Sequence, residues 1–500
     1  MLTLVRFSAR AGLAVAFVLA SCNLDGTDPR PGTPGLTVVS GGSGSDTVRA
    51  KLNELLTVQL RDSAGWPVAR EWVGFQVMPP PGDAEGVRQA ALVCKRSDTG
   101  CLGYTGNEFV ADTTDGDGKV AIVVVMGTVA GSAKVVLTAG YLTGPFRFSD
   151  TVSYDVRPGN PGGIRIGVRD SSAYVGNGYR IGANGTDRYK NVRPDDPVTY
   201  LAFGSAATIS NTGDFLATTI GRSGAIATSG AFSDTAWISV PPRGTIAAFD
   251  VGDAFGVYPA GIVMVRLDGS GYRMLARTTD PYYGTFPDWT ASGQVVYETG
   301  GYSVERLYVA DTLGQQSPRL TPGTTPTRGE QYGAGARDGS IFFSALDTIA
   351  VAGIWRVNAA GAMPVRVGPN PVVEAGAFKP SPAPDGQRLA YSYGTLNILT
   401  VANGSTKAIV VTEADAPRWS PLGDWIVFNA DTTLYMIRPD GTGRQRVGPA
   451  RYYFPRADWS PDGNWLIART RNRTELIDVA TGATIPLPWA TRIVRPAWRP

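Results

Sequence analysis

A short motif recurs through the C-terminal half of the chain, and it constrains the fold more than any other feature. One copy reads PRADWSPDGNWLIA, and another, about forty residues earlier, reads APRWSPLGDWIVF. In each copy a Trp precedes a turn built from Ser, Pro and Gly, and an apolar run typical of a buried strand follows the turn. A period near forty residues with one Trp, one turn and one strand per copy indicates the blades of a β-propeller.

The number of copies predicts the number of blades. Five complete copies can be aligned on their turn glycines, which are 46, 47, 37 and 40 residues apart at Gly293, Gly339, Gly386, Gly423 and Gly463. The chain ends with PAWRP, the first half of a motif, and the second half appears upstream as RGTIAAF at residues 243–249. Joined, the halves make a sixth copy. A ring closed in this way has no free strand edge between its first and last blades.

The motif P-x-W-S-P-D-G followed by a strand resembles the TolB-like propeller repeat. A second turn before the last strand of the blade, seen at Asp268-Gly269 and Asp440-Gly441, strengthens the resemblance. It implies a six-bladed propeller over residues 243–500 that works as a protein-interaction module. The resemblance does not extend to the whole of TolB. TolB is a soluble periplasmic protein with an α/β N-terminal domain, whereas this chain carries other segments before its propeller.

The N-terminus is predicted to be a targeting segment. Arg6 and Arg10 precede a short apolar run, which ends in Leu19-Ala20-Ser21-Cys22. This ending resembles the bacterial lipobox, which implies a signal peptide at residues 1–21, acylation of Cys22 and a Pro/Gly tether at residues 22–35. In lipoproteins with this motif, Asn rather than Asp after the cysteine favours the outer membrane. Asn23 therefore implies a protein anchored in the outer membrane, facing the periplasm or the cell surface. The alternatives are a plain signal peptide or a membrane-spanning anchor, and the apolar run is too short for the anchor.

Residues 36–157 alternate apolar and polar side chains between closely spaced turns, which predicts a β-sandwich. The segments LTVQLRDSAGWPV and TTDGDGKVAIVVV resemble the invasin-type bacterial Ig-like domain. Residues 79–109 are then expected to form an inserted surface loop, which carries Cys94 and Cys101. Export to an oxidising compartment favours a disulfide between them over two free thiols. A zinc site is disfavoured because two thiolates and no histidine cannot complete four ligands.

Residues 162–242 predict a second sandwich, which follows a Pro/Gly linker and leads directly into the propeller. The order of its short strand-like segments resembles the group 2 bacterial Ig-like domain. The expected fold is therefore all-β, with two Ig-like β-sandwiches followed by a six-bladed β-propeller.

The run between Asp112 and Asp117 has two interpretations. Its acids and glycines look like a calcium loop, but the EF-hand pattern needs a further acid on a following helix. A strand-like run follows here instead, so a turn is favoured over a calcium site.

Catalytic chemistry finds little support in the composition. The chain contains no histidine, which excludes Ser-His-Asp and Cys-His catalysis and histidine-bound metals. A carboxylate pair could hydrolyse a glycoside. Acids that recur in the repeat turns are, however, expected to be structural caps, the candidates being Asp288, Asp338, Asp385, Asp424 and Asp462. No cofactor is expected, and a net charge of +3 does not indicate nucleic-acid binding.

Two sets of aromatic residues invite a binding function. Trp289, Trp419, Trp459 and Trp498 recur once per blade and are expected to pack between blades. Outside the repeat, Tyr and Arg are typical interface anchors, and the partner-binding candidates are Tyr282, Tyr283, Tyr332, Arg451, Tyr452 and Tyr453. The sequence therefore predicts a membrane-anchored, non-enzymatic module of the cell envelope that binds a protein. A carbohydrate-binding surface protein is the main alternative, and an enzyme acting on a polysaccharide is the next.

Overall fold

The fold is all-β over the part of the chain that the structure, a computed structural model, describes. The described residues are 32–80, 90–97, 108–140, 147–252, 260–277, 286–299, 305–314, 316–322, 326–349, 351–358, 362–368, 378–410, 413–450 and 452–500. They contain forty-three strands and no helix. They group into two compact units, one formed by residues up to Pro161 with Asp187–Val192, the other by the remainder.

The first unit is a sandwich of two sheets. Its strands are β1 (Gly35–Ser40), β2 (Ser43–Thr47), β3 (Leu56–Arg61), β4 (Trp72–Val77), β5 (Ala91–Lys95), β6 (Phe109–Thr113), β7 (Lys119–Met126), β8 (Gly131–Gly140) and β9 (Arg147–Arg157). One sheet has the order β1-β3-β7-β5 and the other the order β2-β9-β8-β4-β6. Alternate residues of β3, namely Leu56, Val58 and Leu60, are buried in the core that both sheets share, as their period of two predicts.

One expectation for this unit was wrong in part. Residues 79–109 do not form a surface loop throughout, because the apolar run at Ala91–Lys95 is the edge strand β5. This strand pairs antiparallel with β7, with Cys94 opposite Val123, and Cys94 is buried. An apolar run of this length gains more from joining the sheet than from lying in solvent.

The second sandwich begins the other unit. Its strands are β10 (Pro161–Ile166), β11 (Asp170–Ser172), β12 (Gly178–Arg180), β13 (Ala183–Asp187), β14 (Val192–Arg193), β15 (Thr199–Gly204), β16 (Ala207–Ile209), β17 (Asp214–Ala217), β18 (Gly221–Ser229) and β19 (Phe232–Val240). They form sheets of order β10-β13-β14, β11-β19-β18-β15 and β12-β17-β16 around a core of small and β-branched residues. Tyr174 connects this core to the propeller, since its hydroxyl donates to Gly244 O and accepts from Leu267 N.

Six four-stranded sheets make up the propeller. Their strands are β20 (Thr245–Asp250), β21 (Gly261–Arg266), β22 (Arg273–Arg277), β23 (Asp288–Trp289), β24 (Val295–Thr299), β25 (Arg306–Ala310), β26 (Gln316–Arg319), β27 (Arg328–Gly335), β28 (Ile341–Leu346), β29 (Ala352–Val357), β30 (Val365–Gly368), β31 (Ser381–Pro382), β32 (Arg388–Ser392), β33 (Leu396–Thr400), β34 (Thr406–Val410), β35 (Asp415–Trp419), β36 (Ile426–Ala430), β37 (Thr433–Ile437), β38 (Gln445–Val447), β39 (Tyr452–Trp459), β40 (Trp465–Thr470), β41 (Thr474–Asp478), β42 (Thr484–Pro486) and β43 (Ile493–Trp498).

Blade 1 joins the two ends of the propeller sequence. Its order is β22-β21-β20-β43, so the last strand of the chain pairs antiparallel with the first strand of the propeller. This is the arrangement that the two half-motifs predict. Blades 2 to 6 each consist of four consecutive strands, with β23, β27, β31, β35 and β39 innermost, and β43 is the innermost strand of blade 1. Neighbouring innermost strands contact each other around the ring.

Burial between the blades holds the ring together. Each of the six pairs of neighbouring blades encloses its own hydrophobic cluster. The repeat turns set the blade geometry, since all five turn glycines have positive φ between 70° and 88°. At Gly463, for example, the amide donates to Ser460 O and closes the turn. A residue with a Cβ would be strained at this φ.

Candidate binding site in the propeller channel

The innermost strands place one residue of each blade at the same level around the channel. This residue lies three positions before the repeat Trp, or before its equivalent in the blades that lack one. We call the ring of these residues the collar, and its members are Phe286, Tyr332, Lys379, Ala416, Arg456 and Arg495. All but Arg495 line one small cavity, and the Arg495 guanidinium lies 4.1 Å from the centre of the Phe286 ring. Three of the six side chains are cations and none is an acid.

Backbone irregularities at this level direct the collar side chains. Tyr332, Ala416 and Arg495 have positive φ angles of 55°, 46° and 52°. In β27, β35, β39 and β43 the ladder register shifts across the collar position. Such bulges re-aim side chains at the edges of barrels and propellers and are frequent beside binding sites. Three of the eight non-glycine residues that have positive φ in the described part of the chain therefore lie where the channel is lined.

A second ring closes the channel one residue before the Trp position. We call it the plug, and its members are Asp288, Ala334, Ser381, Arg418, Asp458 and Ala497. Arg418 pairs with Asp288 through both terminal nitrogens, with N–O distances of 2.8 and 2.9 Å. Its Nε donates to Asp458 Oδ1 at 2.9 Å. Because Asp288 and Arg418 come from opposite blades of the ring, the Arg418 side chain crosses the channel axis.

The plug also joins neighbouring blades. Asp458 Oδ2 accepts from the backbone N–H of Trp498 at 2.7 Å, and Ser381 Oγ accepts from that of Trp419 at 3.0 Å. In both cases the acceptor lies on one blade and the amide on the next. The plug is therefore a structural element as well as a barrier, and charge lost from it should affect the whole ring.

Burial and charge pairing compete in the electrostatics of this channel. Burial alone would raise the pKa of Asp288, but the charges of Arg418 and Arg456 outweigh it and hold the pKa below its usual value. Burial, and then the neighbouring Arg418, lower the pKa of Arg456 to about 10, so it remains a cation at neutral pH. Burial raises the pKa of Glu298 to about 7, although its carboxylate accepts from the backbone N–H groups of Tyr332 and Phe286.

The opposite end of the channel opens between the repeat turns. A cavity of about 220 Å³ there is lined by the four repeat tryptophans and by plug residues. The tryptophans themselves are only 2–6% exposed. The indole N–H of Trp289 donates to Ala497 O, and that of Trp459 donates to Arg418 O, each on the preceding blade of the ring. The repeat tryptophans therefore pack between blades, as their recurrence predicts, and present no open ring face.

The acids in the repeat turns act as caps. Asp338 Oδ1 accepts from Ser340 N, Asp385 Oδ1 from Gln387 N, and Asp462 Oδ1 from Asn464 N, at 2.8–3.1 Å. Asp424 accepts from the Ser420 hydroxyl within its own turn. Asp288 differs because it lies on an innermost strand, in the plug, rather than in a turn.

The acidic run near Asp115 also forms a turn. Asp115 Oδ1 accepts from the backbone N–H groups of Asp117 and Lys119, both at 2.9 Å. Among the described residues no cluster of three potential metal ligands occurs.

The structure describes only some of the predicted partner-binding residues. Tyr332 belongs to the collar, where its half-buried ring contacts Phe286 at a centroid distance of 4.6 Å, and Lys379 Nζ lies 5.5 Å from its centre. Tyr452 and Tyr453 begin β39, but their side chains, like all of Tyr282, Tyr283 and Arg451, lie outside the described residues. The predicted lipidation site Cys22 and the cysteine Cys101 also lie outside them, so acylation of Cys22 and the Cys94–Cys101 bridge stay predictions.

Most of the collar and the plug escaped the sequence-based prediction, which looked for function outside the repeat. The signal was present in the aligned copies. Residues one and three before the Trp share one face of a strand, because strand side chains alternate. At these two positions the copies differ in charge and size, whereas the Trp and the turn recur.

Comparison with known proteins supports a relationship to TolB over part of the chain. A TolB homolog from Chlorobium luteolum is 30% identical over 121 residues. Over that stretch the chain resembles TolB. The matched part is 22% of this chain and 28% of the relative, so the chain spans little more than a quarter of the relative's length. No protein-family model matches the chain.

Solved structures give weaker likenesses. TolB from Acinetobacter baumannii is 12% identical, covers 68% of this chain and 99% of its own, and gives a TM-score of 0.43. A putative TolB from Agrobacterium tumefaciens is 18% identical, covers 49% and 89%, and scores 0.38. A putative 6-phosphogluconolactonase from Bacteroides fragilis is 14% identical, covers 51% and 97%, and scores 0.31. Likenesses at this level carry no inference about activity.

In the described ranges, no helix has the length and hydropathy needed to cross a bilayer.

Proposed function

We propose that this protein is a non-enzymatic module of the cell envelope that binds a protein partner at the collar end of its propeller channel. The observation that carries the proposal is the contrast between the two rings. The plug satisfies its charges internally across the channel, whereas the collar gathers two cations and two aromatic rings around a cavity, with a third cation, Arg495, against the Phe286 ring. Tyr and Arg side chains are the usual anchors of protein interfaces. The likeness to a TolB homolog supports an envelope setting and a protein rather than a small-molecule partner.

A carbohydrate ligand is less well supported. Sugar rings need exposed aromatic faces on which to stack, and the four repeat tryptophans that line the larger cavity are almost fully buried. Catalysis has no candidate dyad among the described repeat carboxylates, since these cap turns or pair with Arg418. Release of reducing sugars or peptides by the purified protein would contradict the non-enzymatic proposal.

The partner-binding face has a direct test. Replacing Arg451, Tyr452 and Tyr453 together by Ala should weaken capture of envelope proteins by the full chain and leave the melting temperature nearly unchanged. Arg337→Ala serves as the control, because Arg337 lines the cavity at the opposite end and donates to Pro421 O. Equal capture by the triple variant and the wild type would refute binding at the collar end.

Membrane attachment through Cys22 is part of the proposal. Several acyl chains on one cysteine would anchor the chain stably, where a single chain is marginal. The two sandwiches and the tether would then hold the propeller away from the outer membrane. The Cys22→Ala protein should appear in the soluble fraction, and unchanged partitioning into membranes would contradict the lipid anchor.

A further inference from the structure

Arg456 is a buried cation whose hydrogen-bonding capacity is not filled. Its residue is 7% exposed, and its Nε has no hydrogen-bond acceptor within reach among the described residues. The carboxylate that it faces, Asp288, is 3.6 Å away, beyond hydrogen-bonding distance. Both oxygens of that carboxylate already accept from Arg418 at 2.8 and 2.9 Å. Asp288 compensates part of the Arg456 charge, but a buried N–H donor with no hydrogen bond is costly, so the guanidinium points to a missing acceptor.

Arg495 repeats this pattern on the neighbouring blade. Its Nη1 is buried and has no hydrogen-bond acceptor within the described part of the chain. The guanidiniums of Arg495 and Arg456 lie 4.1 and 5.9 Å from the centre of the same Phe286 ring. Two cations therefore converge at one point of the collar. Aromatic contacts stabilise a guanidinium but do not replace an oxygen acceptor.

The cavity at this point has a positive lining and a small volume. Its charged lining residues are Lys379, Arg418 and Arg456, with no acid among those that line it. Four acids lie behind this lining, and each has a partner there. Asp415 pairs with Lys379 at 2.6 Å, Asp288 and Asp458 pair with Arg418, and Glu298 accepts from the backbone N–H groups of Phe286 and Tyr332. The space is about 20 Å³, room for one or two water molecules. A carboxylate fits such a space, whereas a sugar ring does not.

We propose that the collar cavity binds a carboxylate of the protein partner, held by Arg456 and Lys379. A carboxylate presents two oxygens in the plane of a guanidinium, so it would fill the hydrogen bonds that Arg456 lacks. Lys379 is half-buried, its Nζ lies 5.5 Å from the centre of the Tyr332 ring, and both residues line the cavity. The proposal rests on the proposed function and specifies its chemistry. The carboxylate comes from an acidic side chain or from the C-terminus of the partner.

Three capped peptides separate these sources. Acetyl-Gly-Gly-Gly with a free C-terminus carries only a chain-end carboxylate, and acetyl-Gly-Asp-Gly amide carries only a side-chain carboxylate. Acetyl-Gly-Gly-Gly amide carries neither. Binding of each peptide to the full chain is measured by isothermal titration calorimetry at low salt. The variants are Arg456→Met, Arg456→Lys and Lys379→Met, with Arg337→Met as the matched control at the turn end of the channel.

At least one carboxylate peptide should bind, and the neutral peptide should not. Arg456→Met should weaken that binding about 10- to 100-fold, the range for a lost charge-assisted hydrogen bond, and Arg337→Met should not change it. Arg456→Lys should restore part of the binding because it keeps the charge but not the planar donor pair. Melting curves check that each variant is folded, and Lys379→Met provides an independent test should Arg456→Met unfold.

Equal binding of the neutral peptide, or no binding of either carboxylate peptide, would overturn the carboxylate site. Wild-type affinity of both Arg456→Met and Lys379→Met for the carboxylate peptides would also overturn it. These failures differ from failure of the proposed function. Capture of an envelope protein without carboxylate binding refutes only the carboxylate site, and carboxylate binding without capture of any protein refutes only the proposed function.

Discussion

Removing the Arg418 side chain should destabilise the propeller strongly. Arg418→Met takes away the cation that joins Asp288 on one blade to Asp458 on another, with contacts of 2.8–2.9 Å. The side chains of the three residues are only 15%, 6% and 8% exposed. The substitution therefore leaves two buried carboxylates without the cation that they share. Only Arg456 remains near, at 3.6 Å from Asp288.

Breaking a buried ion pair by removing one partner costs about 3–5 kcal/mol. For a unit of this size, each kcal/mol lowers the melting temperature by roughly 2–4 °C, so the expected loss is about 6–20 °C. Arg388→Met is the matched control, because Arg388 pairs with Asp385 at 2.8 Å but both side chains are 35–40% exposed. An exposed pair of this kind contributes at most about 1 kcal/mol. Calorimetry resolves the transition of the unit that contains the propeller.

The stability that Arg418→Met loses should also depend on pH. In the wild type, Arg418 and Arg456 hold the pKa of Asp288 below its usual value, so this carboxylate stabilises the fold above pH 4 and loses that effect as pH falls. Without Arg418, burial should dominate and raise the pKa above that of the unfolded chain. The folded variant then binds more protons, and its deficit should be smaller at pH 5 than at pH 8. A deficit no larger than that of Arg388→Met, at either pH, would refute the structural role of the plug.

Two further predictions concern ring closure and burial. Deleting residues 493–500 removes β43, so the variant should expose the inner edge of blade 1 and aggregate. Removal of Arg499 and Pro500 alone should be tolerated. Equal melting curves for the two truncated variants would contradict closure of the ring by β43. Glu298 has a pKa raised to about 7, so its stabilising effect is complete at acid pH and decreases as pH rises through 7. The free energy of unfolding of Glu298→Gln, relative to that of the wild type, should therefore rise by on the order of 3 kcal/mol between pH 5 and pH 8. A difference in free energy that does not change with pH would rule this out.

The propeller could be predicted from the sequence because its information is local and repeated. Each copy carries its own Trp, turn glycine and strand, and the turn at Gly463 has the positive φ that only glycine adopts without strain. The split sixth copy even indicates how the ring closes. The proposed binding site could not be predicted in the same way, because its residues are those that vary at fixed positions of the repeat.

Pairing across the channel could not be predicted from local pattern. Asp288 and Arg418 are far apart in sequence, and their contact exists only because six blades place them on opposite sides of one axis. Strand β5 was missed for a related reason: a short apolar run between polar segments becomes a strand only when a sheet edge is available to pair with it. The elements could therefore be predicted from the sequence, whereas the contacts that depend on assembling them could not.

We expect a protein partner to bind at the collar end of the channel. A photo-reactive phenylalanine analogue in place of Tyr332 tests it in the full chain in its cell envelope, with the same analogue at Leu422 as the control. Tyr332 belongs to the collar, whereas Leu422 is 71% exposed in a repeat turn at the opposite end. Binding at the collar predicts a cross-linked partner from the Tyr332 position and none from the Leu422 position. Adducts from Leu422 alone, or from neither position, would contradict it.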